Sequence, residues 1–389
     1  MRKVLILDGG ATHAVAMAEC LKQSGYSVST MCSSKSEYGY HTKFADEHIL
    51  GPDSHEKEYA SWMINFLKKH RYDVLIPTSD TAAEFMSHYK RELLELSGVL
   101  IPDKTIFDDG YDKNKLMKIC RENGFPHPLT IDLFGIKDFD NNNELVDFSY
   151  PALLKPNLTS GGRGMTLINS FEDLKVVYPA IHEQYGECHL QQFIKEGGRQ
   201  VKVQIMTDSF GNVAYSSVIW KQRYYPVKGG SSCCNITIDD PEIVKTCGEV
   251  LKRIEWIGFA DFDLIEDPDK KQLLIMEINP RIPACVRSAF KSGMDYATMI
   301  ADMTVGQPLR RYVYEPGKRL RHLGFEMLWF LKSPDRFRAK PSWFSFWGKD
   351  LYYQDWICGD FSSFFWGTWG NFKKQLDPEF RKAKAGVKV

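Results

Sequence analysis

Two stretches near residue 270, "GFADFDLIED" (258–267) and "LLIMEINPR" (273–281), constrain this chain more than any other feature. The first alternates apolar with polar residues over Ala260–Leu264, and the second, after four apolar residues, over Met276–Asn279, the period of a strand buried on one face. They read as one hairpin. Alternation puts Asp261 and Asp263 on one face of the first strand, and Glu277 and Asn279, with Arg281 two steps further, on one face of the second. Oxygen ligands about 7 Å apart along a strand can share a hard cation with phosphate oxygens, as magnesium is usually held in nucleotide sites. A guanidinium one step beyond can face developing negative charge. The plainer reading is a strand that runs out into a solvated edge with a Glu277–Arg281 pair, so other segments must decide.

The preceding chain supplies a parallel α/β frame. Val4–Leu7 reads as a buried strand, "DGGA" as a turn, 12–24 as a helix ended by Gly25, and "YSVSTMC" as a second strand, which makes a βαβ opening. A third strand, "DVLIP" (73–77), ends in "TSD" before a helical stretch over 81–97. Ligands of parallel sheets sit beyond the carboxyl ends of the strands, so Asp8–Gly10, Cys32–Lys35 and Thr78–Asp80 are expected to line a pocket. Gly9 and Gly10 lack the third spaced glycine of a dinucleotide fingerprint, which argues against a nicotinamide site. A helix over "DKNKLMKICREN", stopped by Gly124 and two prolines, marks a boundary near 105–112. Beyond the polar stretch 137–149, strands are expected at 150–156, 188–194, 201–207 and 213–220.

With 389 residues, 43% of them apolar, the chain can build two or three cored domains. Fifty basic residues balance fifty acidic ones, so no overall field draws it to nucleic acid. Nine cysteines without a paired C-x-x-C framework fit reduced thiols in the cytoplasm. The opening "MRKVLILDGG" is a first strand, too short in apolar residues for a signal peptide, and no apolar run approaches the roughly 18–20 residues that span a bilayer.

The strongest local signal is "YPALLKPNLTSGGRGM" (150–165). Lys155 ends an apolar strand, and the loop that follows, with Ser160, Gly161, Gly162 and Gly164, can close over phosphates with its backbone N–H groups while the ammonium neutralises them. No G-K-[ST] opens a helix there, so it is not a Walker loop.

Together with "MEINPR", this stretch resembles the ATP-grasp superfamily over about residues 1–310, with carbamoyl-phosphate synthetase halves, biotin carboxylases and D-alanine ligase-like enzymes as the similar members. The resemblance implies a fold of α/β and α+β type: a Rossmann-like domain (1–105), a two-lobed ATP-grasp domain (106–310, lid lobe about 130–192), and an aromatic, basic C-terminal extension (311–389). It implies ATP as the nucleotide, with Lys113 and Lys155 as its lysines. In "LQQFIKEGGRQVKV" it implies an interlobe hinge, where Gln192 and the backbone of Phe193 and Ile194 meet the adenine, and where Gln200 replaces the usual acidic ribose contact. For the ion, magnesium with manganese as the alternative, it implies Asp261, Glu277 and Asn279, with Asp263 the lesser candidate.

The implied reaction phosphorylates a carboxylate to an acyl phosphate, which an amine then attacks, such as that of an amino acid or an amino-sugar-like acceptor; ADP and phosphate leave. Arg281 is expected at the oxyanion. Lys221 and Arg223, alternating after the strand "VAYSSVIW", are expected to hold the substrate carboxylate. Ile282-Pro283-Ala284-Cys285 follows Arg281 in place of the Gln-Val-Glu-His type continuation of biotin carboxylases, which weakens a carboxylase-type reading. A nucleotide-binding regulatory or scaffold module without turnover is the reading from another class. The rings of residues 343–372 must be covered by the protein's own body, by a second copy in a homo-oligomer, or by an anionic membrane surface facing the basic residues that follow.

Overall fold

The computed structural model describes residues 1–137, 139–159, 163–227, 230–308 and 310–376. Three sheets organise them. The first holds β1 (Lys3–Leu7), β2 (Ser27–Cys32), β3 (Glu47–Leu50), β4 (Val74–Pro77) and β5 (Gly98–Val99), all parallel, in the order β3-β2-β1-β4-β5. Its central strands are apolar on both faces because helices cover both. The order reverses direction between β1 and β4, so a crevice opens beyond Leu7 and Pro77.

The second sheet is built from β6 (Thr130–Asp132), β7 (Ala152–Pro156), β8 (Thr166–Ile168) and β9 (Cys188–Gln192), in the order β6-β9-β7-β8. Its core is its own: Leu133, Leu145, Phe148, Ala152, Leu154, Ile168, Leu174, Cys188 and Leu190 are buried together, with the helix Phe171–Tyr185 against the strands. This is the stretch read as the lid lobe.

The third sheet contains β10 (Gln200–Thr207), β11 (Val213–Tyr225), β12 (Ser231–Ile238), β13 (Gly258–Asp267), β14 (Gln272–Asn279), β15 (Arg319–Arg321) and β16 (Leu351–Tyr353), in the order β14-β13-β10-β11-β12-β15-β16. The hairpin β13–β14 therefore lies at one edge. β15 and β16 lie at the other, so two short segments beyond residue 310 extend this sheet. One buried cluster joins Leu5, Leu75 and Phe107 to Val203, Phe262 and Ile278, which welds the first sheet to the third.

Some elements depart from expectation. The helix expected over 81–97 is two, Asp80–His88 and Lys90–Leu94. Strand β12 runs through "SSCCNITI", read as a loop of backbone donors, and buries both Cys233 and Cys234. Among the described residues, no helix is long and apolar enough to cross a membrane.

Candidate active site

The cleft between the second and third sheets collects the charged residues. From the second sheet come Lys155 on β7 and, beside it on β9, His189 and Gln191. Strand pairing places Lys155 opposite His189. The Lys155 ammonium donates to Gln191 Oε1, and Gln191 Nε2 donates to Thr130 Oγ1 at 3.1 Å. Burial pushes the Lys155 pKa down to about 8; Lys113 adds to this, and Glu277 opposes it. Burial, then Lys155 and Lys113, holds His189 well below the usual histidine range, so its ring stays neutral. His189 Nδ1 meets Asn157 Oδ1 at 2.8 Å, and its Nε2 is buried without a partner among the described residues.

Lys113 opens the helix Lys113–Asn123, whose N-cap Asp112 accepts from the N–H groups of Asn114 and Lys115. Its Nζ donates to Thr159 O and stands 3.6 Å from Glu277 Oε2, so one ammonium touches both sides of the cleft. Gly164 has φ +74 and lies against Pro156 and Tyr185, where a Cβ would meet atoms at 2.8 Å; this end of the loop requires glycine. Ser160, Gly161 and Gly162 lie outside the described residues.

On the third sheet, the hairpin register sets the four polar side chains in two facing pairs. Asp263 stands opposite Glu277, and Asp261 opposite Asn279. Exposure separates the two aspartates. Asp261 has no exposed side-chain surface; Lys202 Nζ lies 2.7 Å from its Oδ2, and Gln204 Nε2 donates to its Oδ1 at 2.7 Å. Asp263 keeps 21% of its side chain exposed and receives Lys202 at 2.6 Å and Lys221 at 2.9 Å. Burial raises the Asp261 pKa; for Asp263 burial acts in the same sense, but Lys202 and Lys221 outweigh it and hold the group far below the usual range. Burial lowers Lys202 less than Asp261 and Asp263 raise it, so it stays charged.

Glu277 is 34% exposed, and Asn279 Nδ2 donates to Asp261 and Asp263, which leaves Asn279 Oδ1 without a partner among the described residues. No group of three His, Cys, Asp or Glu side chains among the described residues could hold an ion unaided. Glu277, Asn279 Oδ1 and the exposed edge of Asp263 nevertheless offer oxygen ligands of the kind magnesium takes, and such an ion would draw its remaining ligands from phosphates and water.

Arg281 does not pair with Glu277. Its Nε donates to Asp80 Oδ1 at 2.9 Å and its Nη2 to Asp80 Oδ2 at 3.4 Å, a fork that ties the end of β14 to the start of the helix Asp80–His88. Ser79 caps that helix and also donates to Asp8, which has φ +52. Burial raises the Asp8 pKa against the hydrogen bonds of Ser54 and Ser79. Close by, the buried His13 is pushed down to about 4, by burial and then by Arg281, and its Nε2 meets Thr78 O at 3.1 Å. The crevice of the first sheet thus opens beside Arg281.

Arg223 is elsewhere. β11 carries a bulge: Lys221 pairs with Asn235, but Arg223 pairs with Cys234, so Gln222 is extra and the alternation breaks between the two basic residues. Lys221 faces Asp263. Arg223 turns away, 3% exposed, and donates from Nε and Nη2 to both oxygens of Glu326, with its guanidinium 5.2 Å from the Trp329 ring. The expectation that it holds the substrate carboxylate is corrected on that ground.

At the connection between the lid and the third sheet, Gln192 accepts from Leu129 N–H at 3.3 Å, Phe193 and Ile194 are half-buried in irregular chain, and Gln200 begins β10 beside Tyr224. The sequence reading missed His189, Gln191, Lys202 and Gln204. The signal was present as polar residues two apart in "CHLQQ" and "QVKVQ".

A family model described as the carbamoyl-phosphate synthase L chain, ATP-binding domain, matches residues 112–312. The C-terminal section of the carbamoyl phosphate synthase large chain of Methanopyrus kandleri is 24% identical over 229 residues, which make up 56% of this chain and 42% of that protein. The biotin carboxylase domain of Hydrogenobacter thermophilus 2-oxoglutarate carboxylase, solved with MgADP and bicarbonate, superposes with a TM-score of 0.67 at 18% identity, covering 82% of this chain and 73% of that one. The L-amino acid ligase of Bacillus licheniformis superposes with a TM-score of 0.60 at 18% identity, covering 78% and 74%.

Proposed function

Because the chain belongs to the family of the carbamoyl-phosphate synthase L chain ATP-binding domain, and with it to the ATP-grasp superfamily, we propose that it is an ATP-dependent ligase that activates a carboxylate as an acyl phosphate and joins it to an amine. The observation that carries this reading is the convergence of Lys113 and Lys155 with Glu277 and Asn279 across one cleft, with Arg281 held by Asp80 just beyond. Lys113 and Lys155 neutralise the phosphates, and Gln192, Phe193, Ile194 and Gln200 border the nucleoside. Glu277, Asn279 and Asp263 would hold magnesium, which would supply charge neutralisation between the phosphates.

The acyl group lies between these ligands and Arg281. There the guanidinium stabilises the oxyanion that forms when the amine attacks, while Lys221 approaches from the neighbouring strand. Asp8, Ser79 and His13 border the crevice from which the acceptor enters.

Purified protein is to be screened for ADP release against carboxylates, alone and paired with amino acids or amino sugars. Release that needs both a carboxylate and an amine supports ligation. ATP binding with no release across the panel points to the regulatory or scaffold module, a reading favoured by one observation, the Lys202 ammonium that already neutralises Asp261 and Asp263. Release driven by bicarbonate alone points to the carboxylase type.

A further inference from the structure

The helix Phe361–Leu376 has two unlike faces. Its inner face is made of small residues: Ser363, Gly367 and Gly370 are buried, Ser363 Oγ donates to Tyr38 O at 2.8 Å, and a Cβ at Gly367 or Gly370 would lie 2.2 Å from the Tyr38 ring or 2.1 Å from Ser36 O. The helix is thereby fixed against residues 36–41. Its outer face carries Phe361, Phe365, Trp369, Phe372 and Leu376, all within an arc of about 80° at 3.6 residues per turn, and each 46–64% exposed. The described residues leave these rings uncovered.

The surrounding charge is mainly positive. The helix contains no Asp or Glu, and Lys373 Nζ lies 5.5 Å from the Trp369 ring centre. Lys35 and Lys43 are exposed at the docking segment, where His41 stacks on Trp366 at 5.4 Å. Of the nearby carboxylates, Asp355 and Asp360 are buried and engaged, by His322 and by Thr42 respectively, and Glu37, half-buried in the docking segment, accepts from Ser33 N–H and Oγ. The sequence after Leu376 adds Arg381, Lys382, Lys384 and Lys388 against Asp377 and Glu379.

From this geometry we propose that the helix Phe361–Leu376 is an interfacial anchor that lies in the surface of an anionic phospholipid membrane, its aromatic stripe among the acyl chain ends and its basic flanks on the headgroups. Aromatic rings prefer that depth, and each nearby lysine or arginine adds attraction to an anionic leaflet. The helix lies on the bilayer and does not cross it.

Flotation of the full chain with vesicles tests this. Partition onto phosphatidylcholine vesicles containing phosphatidylglycerol is expected to exceed that onto pure phosphatidylcholine by roughly tenfold or more at low salt, and to fall as salt rises. Trp369→Ser with Phe372→Ser is expected to lower it roughly tenfold, whereas Trp369→Phe with Phe372→Trp retains it. Lys35→Glu with Lys43→Glu weakens it without touching the stripe. Thermal midpoints and ATP binding of each variant report folding. Absence of partition onto anionic vesicles, equal partition of the serine variant and the wild type, or a dimer in light scattering that the serine variant turns into a monomer would each overturn the anchor.

Discussion

Lys155 is the residue whose ionisation the cleft disturbs most usefully. In the free protein burial holds its pKa near 8 rather than 10.5, with Lys113 adding to the shift and Glu277 opposing it. Bound phosphates favour the charged form, so nucleotide affinity is expected to stay level below that pH and to weaken above it by up to about tenfold per unit. Calorimetric titration with ATP across this range checks it, and Lys155→Met should give weaker, pH-independent binding. An inflection that survives in Lys155→Met would assign it to another group. The sign for stability is the reverse: the unfolded chain keeps this proton to about pH 10.5, so Lys155's contribution to stability grows as pH rises from 8 towards that value. A second prediction separates the two aspartates. Asp263→Asn is expected to raise the magnesium concentration needed for half-maximal turnover roughly tenfold, while Asp261→Asn leaves it unchanged and lowers the thermal midpoint. The opposite pattern would restore Asp261 to the ion. Sequence spacing put both carboxylates on one face, but it does not tell that Asp263 keeps an exposed edge while Asp261 is wholly buried.

Strands with clean alternation were legible as elements; those without it were not. "MEIN" and "ADFDL" announce both their period and their polar face, whereas "SSCCNITI" mixes small polar and apolar residues, and β12 is defined by its partners β11 and β15. The bulge at Gln222 is equally silent, because an extra residue leaves composition unchanged and shows only in the register. Its consequence is large. Arg223, turned out of the cleft, meets Glu326, which also accepts from Arg321 Nη2 at 2.6 Å, and all three side chains are almost wholly buried. This triad fastens β11 and β15 to the helix Leu323–Lys332. Glu326→Ala strands two buried guanidinium groups and is expected to cost about 3–5 kcal/mol, read as a lower urea midpoint at unchanged slope. Near-wild-type stability would mean that the arginines reach water or other partners in the variant.

At the scale of the whole molecule, the first sheet and the third act as one body, because their apolar faces share a core from Leu5 to Ile278, whereas the lid sheet keeps a separate, smaller one. A cleft between a rigid body and a separately cored lobe is suited to opening and closing over a nucleotide. The sequence exposed the parts but not this assembly, since contacts such as Arg281 with Asp80 join positions 201 apart and leave no local pattern. That fork carries the last prediction. If Arg281 stabilises the oxyanion, Arg281→Lys keeps the charge, loses the planar donors, and should lower kcat by roughly 10²–10³ with little change in ATP affinity. Asp80 acts only by aiming the guanidinium, so Asp80→Asn should lower kcat by roughly tenfold. It should then add almost nothing in the Arg281→Lys background, because residues that work as a unit are not additive. Turnover kinetics of the two single variants and the double variant decide the point. Losses that simply multiply would place Asp80 on the substrate in its own right, and a collapse of ATP affinity in Arg281→Lys would move Arg281 to the ground-state phosphates.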